Sequence, residues 1–189
     1  MRRCLCADRS RGIRGVSGKL IAGAIVVISL VAGIAMYYLQ VYAFYDEVAA
    51  SGTDDVRMTL LATGQPEAIL YEDFEAIDSE SSPIRYRACF TTNLSHPMLS
   101  ETYVAYDKAE PLVAPGWFQC FDAKALGAAL EQGRALAFMG TENITYGIDR
   151  VVAVMEDGRG YVWHQINHCG EKVYDGQPAP EGCPPKPEG

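Results

Sequence analysis

From Leu20 to Tyr45 the chain carries no Asp, Glu, Lys, Arg or His and no proline. That stretch decides more about the molecule than any other part of it. A helix advances about 1.5 Å per residue, so about 20 apolar residues cross a hydrocarbon core, and Leu20–Gln40 meets that length. Tyr37, Tyr38, Tyr42, Phe44 and Tyr45 gather at one end of it. Aromatic rings favour the headgroup region, so they mark a membrane interface. Basic residues precede the stretch: residues 1–19 carry six bases and one acid, net +5. Positive charge stays inside, which predicts a cytoplasmic N-terminus and a translocated C-terminal domain. In a Gram-negative cell that means an inner-membrane protein with a periplasmic domain.

A cleaved signal peptide is the rival reading. Gly33 and Ala35 offer small residues at the −3 and −1 positions of a cut after Ala35. No polar region precedes that cut, and apolar sequence runs on through MYYLQVYAFY, so an uncleaved anchor is favoured. Ser29 and Gly33 form a small-xxx-small pair, a weak signal beside a purely lipid-facing helix. Residues 1–15 hold Cys4, Cys6 and five Arg and little else. A start at Val16 is the alternative to a start at Met1, and the topology survives either.

The rest of the chain is acidic. The formal net charge is −8, and residues 46–189 hold net −13 of it against the basic tail. Nucleic acid and anionic lipid are disfavoured as partners, because a field of that sign repels both. Along this part, residues 46–55 read as a linker and 176–189 as a Pro-rich tail. Val56–Leu61, Ile84–Thr91, Trp117–Phe121 and Ala135–Gly140 read as strands. Glu67–Asp78 reads as a half-buried helix or an irregular segment, Glu101–Tyr106 as a strand or helical turn, and 140–147 as a surface loop. Asp122 caps a helix over Ala123–Gln132 that Gly133 ends. Asp149–Met155 and Gly160–Ile166 form a hairpin about Asp157-Gly158. The fold class expected is α+β: one N-terminal transmembrane helix over 20–45, then a small antiparallel-sheet domain over 56–175 with one main helix.

Four cysteines fall in this domain: Cys89, Cys120, Cys169 and Cys183. An even number beyond a membrane suits an oxidising compartment. Of three possible pairings, Cys89–Cys120 and Cys169–Cys183 are favoured: the first ties two candidate strands, the second pins the tail. No CxxC or CxC lies in the domain, which speaks against a thiol-redox or metal site there.

Chemistry-bearing residues are sparse. His164 and His168 lie four apart, about 13 Å along a straight strand, too far to share an ion unless the chain bends at Ile166–Asn167. His96 is a distant third candidate for such a site. Trp117, Trp163, Tyr146 and Arg150 could line a ligand pocket. No GxSxG elbow, Walker loop or Rossmann glycine pattern is present. Neither a catalytic residue, a resident metal nor a cofactor is expected.

The stretches SSPIRYRACF, ETYVAYDKAEPL and ALAFMGTENITYGIDRVVAV resemble an uncharacterised family of small single-span membrane proteins from Rhodobacter-type alphaproteobacteria. The similarity runs from about Ser17 to the end and leaves out residues 1–15. It implies a source and a compartment and brings no activity or site residue. Three functions compete. A non-enzymatic accessory protein docking on a membrane or envelope partner is favoured. An anchored small-ligand-binding module comes next, and then a metal-dependent enzyme using His164 and His168.

Overall fold

A computed structural model of the chain describes residues 17–187. The basic stretch 1–15 with Cys4 and Cys6, the Val16 start and residues 188–189 lie outside the described residues. The chain divides after Ala43 into two compact units.

The first unit holds helix α1 (Gly18–Val41), which buries none of its side chains. It is long and apolar enough to cross a membrane, as an anchor or as a signal sequence. Its end comes earlier than the aromatic run suggests. Tyr42 stacks on Tyr38 at 5.9 Å, whereas Phe44 and Tyr45 belong to the second unit. There the Arg85 guanidinium lies 5.5 Å and 5.8 Å from their ring centroids.

The second unit is an antiparallel sheet covered on both faces. Its six strands are β1 (Asp46–Val48), β4 (Glu72–Asp78), β5 (Arg87–Thr91), β6 (Ala135–Thr145), β7 (Ile148–Met155) and β8 (Arg159–Ile166), in the order β1-β4-β5-β8-β7-β6. A second, two-stranded sheet pairs β2 (Arg57–Thr59) with β3 (Pro66–Ala68). Three short helices, α2 (His96–Thr102), α3 (Ala123–Glu131) and α4 (His168–Tyr174), complete an α+β fold with α3 the longest of them.

Side chains alternate across a pleated sheet, and the register aligns that alternation from edge to edge. Val48, Ala76, Ala88, Val162, Val152 and Phe138 stand opposite one another in a single row. This row meets Val56, Met58, Ile69, Leu99 and Tyr103, supplied by β2, α2 and their flanks. The row on the other face contains Ile77, Trp163 and Val151, packed beneath Phe118, Phe121, Leu126 and Ala129. The middle strands β7 and β8 are therefore buried on both sides, which is why their sequences are nearly continuous apolar runs. Gly160 is needed here: a Cβ would stand 2.1 Å from the Phe90 ring, which lies across it.

Several local expectations change. Residues 46–48 are the edge strand β1 rather than linker. Glu67–Asp78 is extended, forming β3 and β4, because Ala76 and Ile77 must enter opposite cores. Strand β6 runs on to Thr145, through the stretch expected as a loop, by shifting register at Met139/Thr141 and again before Thr145. Trp117–Phe121 is a series of turns: its aromatics are held by burial and by a disulfide rather than by a strand neighbour. The helix α4 was not signalled. Asn167 initiates it by accepting the Cys169 and Gly170 N–H groups.

Candidate functional site

Three places on the domain gather polar side chains or open space. The first lies where β7 begins and β8 ends, beside the loop before β5. His164 is buried, and its ring stacks on Tyr86 with centroids 4.9 Å apart. Its Nδ1 donates to the Pro83 carbonyl at 2.7 Å, and its Nε2 accepts from Arg150 Nε at 3.0 Å. Burial, and then the Arg150 cation, push the imidazole down to about 4. At neutral pH it is uncharged with both nitrogens engaged, so neither is left for a substrate or a metal. Arg150 also lies flat over Tyr86, its Cζ 4.3 Å from the ring centroid. Burial drives the Tyr86 hydroxyl up to about 12, against the lowering effect of Arg150. Among the described residues no carboxylate makes an ion pair with Arg150.

The second place is the corner where α4 meets the C-terminal tail. Of the three possible cysteine pairings, the structure has Cys89–Cys120 and Cys169–Cys183. His168 is exposed, and its Nε2 stands 3.4 Å from Cys169 Sγ and 3.5 Å from Cys183 Sγ. The corner is built from behind by Asp149, a buried carboxylate on β7. It accepts from the Asn167 side chain at 2.8 Å, the Asn143 N–H at 2.9 Å and the Tyr106 hydroxyl at 3.2 Å. Burial, and then Asp149, raise the Tyr106 phenol well above its usual value. Gly147 and Gly170 let the β6–β7 turn touch α4, since a Cβ on Gly170 would lie 2.1 Å from the Gly147 carbonyl oxygen.

The third place is a groove of about 820 Å³ between α3, the first turns of the 105–111 segment and the outer strand β6. Small residues make up much of its lining, Ala123, Gly127 and Ala128 on α3, Ala105 and Ala109 opposite, Ala135 and Ala137 on β6, and Leu130, Leu136 and Phe138 add larger apolar surface. Lys108 and Lys124 stand at the rim with Asp107, Glu110 and Glu131. The 105–111 segment pairs with the sheet edge only briefly. Tyr106 N–H bonds the Ala137 carbonyl and Met139 N–H bonds the Val104 carbonyl.

The residues expected from sequence are thus scattered. Arg150 joins His164, but His168 does not. The chain does bend after Ile166, yet His164 is committed to Tyr86 and Pro83, and His168 stands with the cysteines instead. His96 lies elsewhere, its Nε2 against the Val154 carbonyl at 2.9 Å. Trp163 is fully buried and bonds Gln165, so it lines no pocket. Trp117 packs edge-on against Tyr45 and Phe118. The Tyr146 hydroxyl donates to the Pro184 carbonyl on the tail. Tyr86, Asp149 and Gly127 were not anticipated. Only Gly127 left a trace in the sequence, as a glycine inside an otherwise good helix.

The model of a family described as one of unknown function, DUF6446, matches residues 56–184. The chain belongs to the DUF6446 family. The match begins at β2 and ends just past Cys183, so it takes in all three places described above and leaves out α1. No curated protein and no solved structure matches the DUF6446 chain.

Proposed function

We propose that this DUF6446 chain is a membrane-anchored accessory protein that works by binding, and that the groove beside α3 receives an apolar segment of a partner protein in the same membrane or envelope. Its N-terminus is cytoplasmic and its domain periplasmic, in the inner membrane of an alphaproteobacterium. The bases before α1 and the two disulfides after it support that placement.

The observation that carries the reading is Gly127. Glycine inside a helix costs about 1 kcal/mol relative to alanine. Nothing within the chain calls for it, because an added Cβ meets no atom within 4 Å. The missing side chain instead deepens the groove, whose lining is largely apolar: alanines on α3, β6 and the 105–111 segment, with Leu130, Leu136 and Phe138. An apolar trough with charged residues beside it suits an apolar segment flanked by polar ones.

The test is site-specific photo-crosslinking in intact cells. A photoreactive residue at Ala128 should give a defined adduct that a Gly127→Phe change, filling the groove from an exposed helix, abolishes. The same residue at Glu72 on the far side of the sheet should give none. Adducts from Ala128 that survive Gly127→Phe would overturn the reading, as would no adduct at all. Protease added to spheroplasts should remove the domain; full protection would reverse the orientation.

A further inference from the structure

We propose that the corner formed by His168, Cys169 and Cys183 becomes a metal site when its disulfide is reduced, and takes a thiophilic d10 cation such as Zn2+. The three candidate ligand atoms already lie within 4.8 Å of one another. In a tetrahedral zinc site with bonds of about 2.3 Å to sulfur and 2.0–2.1 Å to nitrogen, a sulfur and a nitrogen ligand stand about 3.5 Å apart and two sulfurs about 3.8 Å. The imidazole Nε2 meets the first requirement at 3.4 Å and 3.5 Å from the two sulfurs. Only the sulfur pair has to move, from bonding contact to about 3.8 Å.

The chain is arranged to permit that movement. Cys169 is fixed: it is buried in the first turn of α4, its N–H held by the Asn167 cap, which Asp149 holds in turn. Cys183 sits on the tail, where the Tyr146 hydroxyl donates to Pro184 and a turn joins Cys183 to Pro180, while Gly176 and Gln177 bond back to α4 at the tail's start. One ligand is rigid and the other tethered, so the sulfurs can separate without disturbing the sheet. His168 is exposed, which leaves a way in for the ion and a fourth position for water. The acidic domain favours any approaching cation. Cys89–Cys120 has no such neighbour, since no histidine or carboxylate groups with it among the described residues.

The chemistry balances in two steps. An external dithiol gives two electrons and two protons to the Cys169–Cys183 disulfide, yielding two thiols and the oxidised dithiol. Zn2+ then replaces the two thiol protons, which leave to solvent, and binds the two thiolates with neutral His168. An external disulfide reverses the process: it takes two electrons from the two thiolates and two protons from solvent and leaves as a dithiol, while the Cys169–Cys183 bond re-forms and Zn2+ is released to solvent.

The test uses the full chain in detergent with Cys4 and Cys6 changed to Ser, reduced with a dithiol and freed of it without air. Co2+, as a coloured stand-in, should give a thiolate-to-metal absorption band at one ion per chain, which Zn2+ bleaches. The oxidised protein should give no band. His168→Ala should weaken binding more than about 10-fold, the scale that even an outer partner of a metal ligand carries. Cys169→Ser with Cys183→Ser should abolish the band while circular dichroism shows the sheet intact. A band that survives in the double variant, unchanged affinity in His168→Ala, or no band in the reduced parent would each overturn the proposal.

Discussion

Two of the domain's arginines that lack a carboxylate at ion-pair distance among the described residues, Arg87 and Arg150, are held in different ways. Arg87 is buried on the face beneath Phe121 and donates to four main-chain carbonyls, those of Ile84, Tyr86, Leu112 and Val113. Burial pulls it down to about 10, so it stays a cation at neutral pH and its charge is spread over carbonyl dipoles. Arg150 leans on a neutral histidine and a tyrosine ring instead. That arrangement requires His164 to stay unprotonated, which makes stability depend on pH. The folded imidazole titrates near 4 against an ordinary 6.5. Between those values the unfolded chain takes up the proton and the folded chain does not. The stabilisation is whole above pH 6.5 and is lost as pH falls toward 4, by up to roughly 3 kcal/mol for a shift of this size. His164→Gln keeps a donor and an acceptor at the position but cannot titrate. Urea denaturation at pH 7 and pH 4.5 should show a larger loss in the parent than in the variant. Equal losses would mean that the imidazole does not govern this range.

The segment that joins α2 to α3, residues 103–122, has little regular structure, and side chains from the sheet fasten it to the face it covers. Gln165 bonds the Lys108 carbonyl and the Glu110 N–H, Arg87 takes the carbonyls of Leu112 and Val113, and Cys89 is bonded to Cys120. Breaking the last of these should matter more than breaking the disulfide of the tail. Cys89–Cys120 closes 31 residues, and constraining such a loop contributes about 4 kcal/mol. Cys169–Cys183 closes 14 residues, nominally about 3 kcal/mol. Its loss also frees the tail in the folded state, so much of that effect cancels. Denaturation midpoints should therefore fall further for Cys89→Ala with Cys120→Ala, while hydrogen exchange in 176–184 should rise only for Cys169→Ala with Cys183→Ala. The reverse order of midpoints would contradict this. The same segment shows where sequence stops being informative. The β7–β8 hairpin and α3 were legible because Asp157-Gly158 and the Asp122 cap are local signals. Trp117–Phe121 has the composition of a strand but takes its place from contacts distant in sequence. In Ile84–Thr91 the alternation marks Arg85 and Arg87 as outward. Here both faces of the sheet are covered, so outward does not mean solvated for Arg87. Cys89, on the same face and disulfide-bonded, was the hint available. The histidine–sulfur corner depended on α4, which a single asparagine cap and a long-range carboxylate initiate.

At the scale of the molecule, the boundary between the apolar helix and the domain falls inside what composition treats as one aromatic run. Tyr37, Tyr38 and Tyr42 belong to the first unit, and Phe44 and Tyr45 to the second. Arg85 lies over both of those rings, and Tyr45 meets Trp117 edge-on at 6.3 Å. From the next residue β1 is paired along its whole length with β4, and Val48 closes the apolar row that crosses the sheet. The folded unit therefore begins at Phe44, well before the first residue of the family match. Since α1 buries none of its side chains, removing residues 1–43 should leave the domain's cohesion untouched. A chain starting at Phe44, oxidised, should melt within a few degrees of the full protein in detergent. A chain starting at Ser51 loses the edge strand and leaves the flank of β4 unpaired. Losing the burial that the half-buried Tyr45 and Val48 supply should cost it roughly 2–3 kcal/mol. Thermal melts of both shortened chains beside the full chain measure the difference. A Ser51 start as stable as the Phe44 start would show that β1 contributes nothing to the sheet. The expected deficit would instead make β1 part of the folded core, although the family match begins only at residue 56.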